Sequence, residues 1–445
     1  MTLKVRRILS LIFLVLFIAL TPAIMFYAAG YRLGRSGFSV QRTGMFIIDS
    51  KPRGAKIFLD GRAQENFISS LFKRNNYFTT PAKIKNILPG EYSVEVKAGG
   101  YWSWQKKLTV YPGASTFAEN IYLFKNDLPA LIASAEIESI SLAPDKSRIL
   151  ILSKKQIDFL NLADDSQISI EQNSLTGKNI AWAGGGRKIV IDNFLFDLSD
   201  VNSKINLGLI APGGYDYKWS NNTLYWRDNT AIYRLDGDKA PEKIITNKKF
   251  SDYAVKDGYL FLINKARPAA SLEVFSLDGA ALLKNISLPT LANYFFINPE
   301  QNLLNIYDQD HGILYLINPL AAHDSPFVET INDVKTACWT DSGGLLYAND
   351  FEIWLYDPAA KEKNLITRIS NPIKQAILHP SKNYIIYATG NKLEVIELDN
   401  REKRSITELL KFDSIGLIAL NPQGNTLYFS GRNGSSPGLY KLLIQ

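Results

Sequence analysis

The 445-residue chain has one cysteine, Cys338. An intramolecular disulfide is therefore impossible, and no cysteine stands near the N-terminus to carry a lipid. Any membrane attachment must come from the polypeptide itself. The compartment stays open, because large domains need no covalent staples on either side of a membrane. Histidine is scarce as well, with only three, and acidic residues are missing from the first 42 positions. Lys4, Arg6, Arg7, Arg32, Arg35 and Arg42 give that stretch a charge of +6, residues 43–124 add +5, and the rest carries −4. The overall +7 is thus concentrated at and beside an apolar segment. Anionic lipid headgroups are its natural partner, and nucleic acid is not expected.

What is present begins with a long apolar run. Between Arg7 and Arg32 lie 24 uncharged residues, ILSLIFLVLFIALTPAIMFYAAGY. As a helix they extend about 36 Å, enough for a hydrocarbon core of about 30 Å. Pro22 kinks this helix or marks its final third, which membrane helices tolerate. Tyr27 and Tyr31 fall where an interfacial aromatic belt belongs, and Lys4, Arg6, Arg7, Arg32 and Arg35 flank the span. A cleaved signal peptide with Ala28-Ala29-Gly30 at its cleavage site is the competing reading, but its apolar core is usually about 7–15 residues. The expectation is a retained single-pass anchor: a cytoplasmic tail over 1–7, a span over 8–31, and the C-terminal domains extracytoplasmic. Residues 32–42, polar with two glycines, are expected to form a short flexible stem.

Past the stem, apolar runs of strand length alternate with turn residues. EYSVEVKA sets Tyr92, Val94 and Val96 against Glu91, Ser93, Glu95 and Lys97, the period-two pattern of a half-buried strand. Asp60-Gly61 is a hairpin dipeptide, since such turns need positive φ. SKPRGAKIFLDG (50–61) is then turn, strand and hairpin rather than a phosphate cradle, because no helix start follows its glycines. Pro52, Gly54, Ala55, Asp60 and Gly61, then Thr80-Pro81, then Pro89-Gly90-Glu91-Tyr92, then Gly100-Tyr101 and Trp104 together resemble the PEGA domain, a small β-sandwich-like module of bacterial and archaeal surface proteins. The resemblance spans about 43–124. One departure is the 18-residue insertion Arg62–Thr79, either a surface excursion or, through Phe67, Leu71, Phe72, Lys73 and Arg74, a short amphipathic helix on membrane or partner. Trp104 occupies the family's aromatic core position, and Trp102 shares its face if the strand is regular. Core packing is the expectation for the pair, with sugar or membrane contact as the alternative.

From about 127 to 445 a strand–turn–strand unit recurs. Its turn markers Pro144, Gly184, Ser220, Lys256, Pro299, Thr340, Pro380 and Pro422 are spaced 36 to 43 residues apart. A period near 40 with three to four strands per unit is the signature of propeller blades. Eight cycles are preferred, with seven as the fallback. ALIAS (130–134) is a candidate for the outer strand missing from the last cycle. The x-Pro-x turns (LAPDK, INPEQ, LHPSK, LNPQG) resemble TolB-type or WD-type propellers, which implies architecture and a tendency to bind proteins. The expected fold class is all-β plus one N-terminal transmembrane helix.

No motif singles out a catalytic group. Gly434-Ser435-Ser436-Pro437-Gly438 matches G-x-S-x-G literally, but a strand follows where a nucleophile elbow needs a helix, and no histidine comes after Ser436. His379 replaces Ala143, Asn298 and Asn421 of equivalent turns. His323 lies in a polar loop. His311, with Asp308 and Asp310 in YDQDHG, lacks a metal loop of proper length. Gly184-Gly185-Gly186 lacks the helix of a dinucleotide site. No cofactor, metal or catalytic residue is expected. The expected function is an interaction or scaffolding protein of the cell envelope, with the bilayer and a protein or cell-wall polymer as partners. The alternative is a propeller-type hydrolase or lyase acting on envelope glycans, with carboxylates converging at one propeller mouth.

Overall fold

The computed structural model describes residues 3–34, 39–64, 77–134, 137–154, 156–171, 179–237, 239–246, 249–265, 268–297, 303–322 and 325–445. Arg35, the insertion residues Phe67, Leu71, Phe72, Lys73 and Arg74, the turn residues Asn298 and Pro299, and His323 lie outside the described residues. The chain divides into two compact units. One comprises Met1–Leu128 with Val395–Leu409 and Leu443–Gln445, the other Pro129–Glu394 with Leu410–Leu442.

The first unit opens with a helix over Leu3–Ala28 that carries Pro22 inside it and no acid in its first turn. Its segment Val5–Ala28 contains an 18-residue stretch with a mean hydropathy of 2.7 in which no residue is buried. Length and composition of this kind suit a membrane span and a signal sequence alike. The helix ends ahead of Tyr31 because Gly30 takes φ +84°, the left-handed conformation that stops helices. The stem is more ordered than its polar, glycine-containing sequence suggests. Tyr31–Leu33 pairs antiparallel with Val40–Arg42. The Arg32 guanidinium stacks 3.5 Å over the Tyr27 ring and donates to the Tyr27 and Tyr31 carbonyls, which fixes the chain leaving the helix.

Two sheets follow. Gly44–Lys51 sits between Ala82–Ile87, antiparallel, and Ser115–Tyr122, parallel. Arg62–Ala63, Lys56–Leu59, Gly90–Lys97 and Trp104–Val110 form the other sheet. Alternate residues turn inward, so Phe46, Ile48, Ile57, Tyr92, Val94, Val96, Trp104 and Leu108 merge into one core, a small β-sandwich. Asp60 and Gly61 both have positive φ, as a two-residue hairpin requires.

Eight four-stranded antiparallel sheets make up the rest, one per cycle, which resolves the choice between eight and seven blades. The first strands of the blades are Ile137–Leu142, Ile180–Trp182, Tyr215–Ser220, Asp252–Lys256, Tyr294–Ile297, Thr336–Trp339, Ile373–Leu378 and Ser414–Leu420. These pack on one another around the axis. Polar stitches join neighbouring first strands. Trp182 Nε1 donates to Ser141 Oγ, Trp219 Nε1 to the Ala181 carbonyl and Tyr253 Oη to the Asp216 carbonyl. The eighth blade takes its outermost strand, Ala130–Ala133, from before the first blade, pairing it with Ser436–Leu443. The ring is therefore closed by ALIAS, as the missing strand in the last cycle requires. Leu150, Ile157, Phe159, Ile189 and Phe196 illustrate the core, apolar side chains from two adjacent blades pressed face to face.

Candidate functional site: the mouth of the propeller

The first turn of each blade joins its two innermost strands and therefore rims one end of the central channel. Where blades 1, 6, 7 and 8 meet, these turns enclose a cavity of about 440 Å³. Its walls are mixed: Ile140, Ile377, Leu417 and Ile418, with Pro144, Pro380 and Trp339, stand beside the polar Thr340, Gln375 and Asn421. Its rim is charged. Lys146 of blade 1 reaches both Asp341 oxygens of blade 6 at 3.1 Å, and Lys382 of blade 7 stands on the same rim. Cys338 is exposed and lines the same cavity. A bowl that sets apolar walls beside convergent polar groups offers a ligand or peptide side chain both affinity and orientation.

The walls are pinned by side-chain bonds that the sequence did not announce. His379 is 1% exposed. Its Nε2 lies 2.9 Å from the Gly424 carbonyl, which only accepts, so Nε2 carries the proton and Nδ1 accepts from the Ser381 N–H at 3.1 Å. A turn residue by sequence, His379 thus locks the turns of blades 7 and 8 together. Gln375 Oε1 accepts from the Ile418 N–H at 2.8 Å, joining the same two blades below.

Further along the channel two carboxylates do converge. Lys218 lies between Asp216, at 3.7 Å, and Asp252, to which it donates a short bond. Arg227 meets Asp216 at 3.0 Å and stacks on the rings of Tyr215 and Phe250. Burial raises the Asp216 pKa, and Lys218 offsets part of that rise. Asp252 also accepts from the Tyr253 and Phe296 N–H groups. Each acid therefore has a cation, and Asp252 bridges blades 4 and 5. This cluster is a staple of three blades rather than a poised acid–base pair.

Of the residues singled out by sequence, Ala55, Tyr92 and Trp104 enter the sandwich core, and Thr80 Oγ1 is buried against Ser50 Oγ and the Ala55 N–H. Pro52, Gly54, Asp60, Gly61, Pro81, Pro89, Gly90, Gly100 and Tyr101 lie in or next to turns, with Glu91 on the exposed face of Gly90–Lys97. Trp102 does not share the face of Trp104. The regular strand begins only at Trp104, and Trp102 is 36% exposed in the loop before it. Arg6, Arg7, Tyr27, Tyr31 and Arg32 lie along or just past the helix; Lys4 lies in its first turn. Asp308 and His311 form a turn, with His311 Nδ1 2.8 Å from Asp308 Oδ2, while Asp310 binds Asn293. No group of three metal-ligating side chains occurs among the described residues. Gly434 and Ser435 make the hairpin between Thr426–Asn433 and Ser436–Leu443.

No family model matches the chain, and no curated protein matches it. Solved structures do. The Dos1 propeller aligns over 72% of this chain and 96% of its own, with a TM-score of 0.50 and 13% identity. The C-terminal WD40 domain of Sif2 aligns over 71% of this chain and 99% of its own, again at 0.50 and 13%. At such identity the likeness shows the fold, a β-propeller.

Proposed function

We propose that this is a membrane-anchored, extracytoplasmic interaction or scaffolding protein of the cell envelope, with its N-terminus inside. Residues 8–31 serve as the retained span, 1–7 as the cytoplasmic tail and 32–42 as the link. Residues 43–124 act as a PEGA-like module close to the headgroups, and 127–445 as the propeller that presents a binding face to a protein or wall polymer. The basic balance up to residue 124 and the acidic balance beyond it support this arrangement. The observation that carries the reading is the propeller mouth, a bowl of about 440 Å³ lined by apolar and polar side chains and rimmed by Lys146, Asp341 and Lys382. Catalysis is not part of this proposal, because Asp216 and Asp252 are both neutralised by cations within the channel wall.

The test is a pull-down from envelope extract with the full chain, beside a double variant Trp339→Ala, Lys382→Glu. Recovery of one partner that the double variant loses at least about tenfold supports the reading. Equal recovery by both proteins moves the binding face away from the mouth. Turnover of a soluble glycan with no partner recovered overturns the proposal.

A further inference from the structure

We infer that the end of the sandwich next to the helix is itself a membrane-contact surface, a folded collar that rests in the anionic headgroup layer. The inference rests on the reading of Leu3–Ala28 as a retained span. Register brings the relevant parts together. Gly44–Lys51 and Ser115–Tyr122 are parallel, so both start at one end of the sandwich. Gly44 pairs with Ile87, and Gly90 with Val110, so the turns after Ile87 and Val110 lie at that same end.

The helix enters this end through fixed bonds. The Thr43 N–H and Oγ1 both donate to the Gly30 carbonyl, at 2.8 and 2.7 Å. The Gly113 N–H donates to the Thr43 carbonyl at 3.1 Å, and a Cβ on Gly113 would fall 2.8 Å from the Arg42 guanidinium. The turn Tyr111–Ala114 is thus held against the end of Val40–Arg42, the strand paired with the one that leaves the helix. Phe26 and Tyr31 meet edge to face, which continues the contact into the helix.

Large apolar side chains stand exposed around this junction: Leu33 at 67%, Val40 at 60% and Tyr111 at 63%. Arg32 and Arg42 stand among them. Three exposed apolar groups around a helix exit would be a liability in water, whereas apolar and aromatic side chains beside arginine suit the boundary of acyl chain and headgroup. The charge selects anionic lipid, whose negative surface attracts cations within about a Debye length. Continuity with an exposed apolar helix of 24 residues commits the occupant to the bilayer rather than to a protein.

The experiment uses the full chain with Cys338→Ser, reconstituted in vesicles of phosphatidylcholine with one-third phosphatidylglycerol. Single cysteines introduced as Ile12→Cys, Val40→Cys, Tyr111→Cys and Arg53→Cys carry an environment-sensitive fluorophore, and lipid spin labels at two depths quench it. Arg53 is exposed at the opposite end of the sandwich, just past Lys51. Expected is deep quenching at 12, headgroup-level quenching at 40 and 111 at least about threefold above that at 53, and a drop at 40 and 111 in pure phosphatidylcholine. Quenching at 12 with 40 and 111 no higher than 53 overturns the collar and leaves the anchor standing. Quenching at none of the four overturns the anchor and the collar with it.

Discussion

Two lysines in this protein each sit between two carboxylates, and their surroundings differ. In the first unit Lys106 is 1% exposed, with Glu397 at 3.1 Å and Asp399 at 3.2 Å, and also donates to the Asp399 carbonyl. In the second unit Lys218 is 28% exposed, holds Asp252 and shares Asp216 with Arg227. Burial raises the Glu397 pKa despite Lys106, so that site holds charge against a desolvation penalty. Each cluster has a second cation on one of its acids, Arg401 on Asp399 and Arg227 on Asp216, but only Lys218 has partial access to water. The comparison teaches that the same motif leans harder on its lysine where that lysine is dry.

The largest effect should come from Lys106→Ala, which strands the buried Glu397 carboxylate and leaves Asp399 to Arg401 alone. It should cost about 3–5 kcal/mol in urea unfolding of the detergent-solubilised chain. Lys218→Ala should cost less, about 2 kcal/mol, because Arg227 still meets Asp216, and Asp252, left without its cation, keeps the Tyr253 and Phe296 N–H groups beside partial access to water. Equal losses from the two substitutions would erase the distinction.

Acid titration sharpens it. Burial alone would raise the Asp399 pKa, but hydrogen bonds from Arg401 and the charge of Lys106 hold it at about 2, below its ordinary 3.8. Its contribution to stability is therefore full above pH 3.8 and is lost as pH falls towards about 2. Glu397 has the opposite sign, its raised pKa making the charged form a burden that acid relieves. Urea midpoints measured from pH 5 to 2 should fall below pH 4, and Arg401→Gln should flatten that fall. The smallest effect belongs to Lys146→Ala. Its pair with Asp341 is exposed on both sides, so unfolding should shift by at most about 1 kcal/mol.

Much of the architecture was legible because sheet has a short, strict period. Tyr92, Val94 and Val96 announced their strand by alternation, and the spacing of turn residues gave eight blades. Even the closing strand could be anticipated from ALIAS, since a ring one strand short must borrow one. The ionic clusters were not legible in the same way. Lys106 lies 291 residues from Glu397, and no local pattern links them. A signal did exist: Lys106 occupies the inward parity of Trp104–Val110, between Trp104 and Leu108, where a charge has to find a partner. The mouth was equally hidden, because Trp339 ends a strand and Lys382 sits in a turn of the next blade, and only the closed ring brings them together with Lys146 of the first blade. Trp102 misled for a local reason, as period-two reasoning holds only inside a strand.

The pairing of Leu131 with Tyr440 has a consequence for how the protein is made. A ribosome exposes the first of these strands long before it has synthesised the second. Until then the opening segment has no edge to join, and seven finished blades form an arc with two raw margins. Closure thus waits until Ser436–Leu443 has been made, and anything that guards those margins meanwhile works on a nascent arc rather than on a wheel.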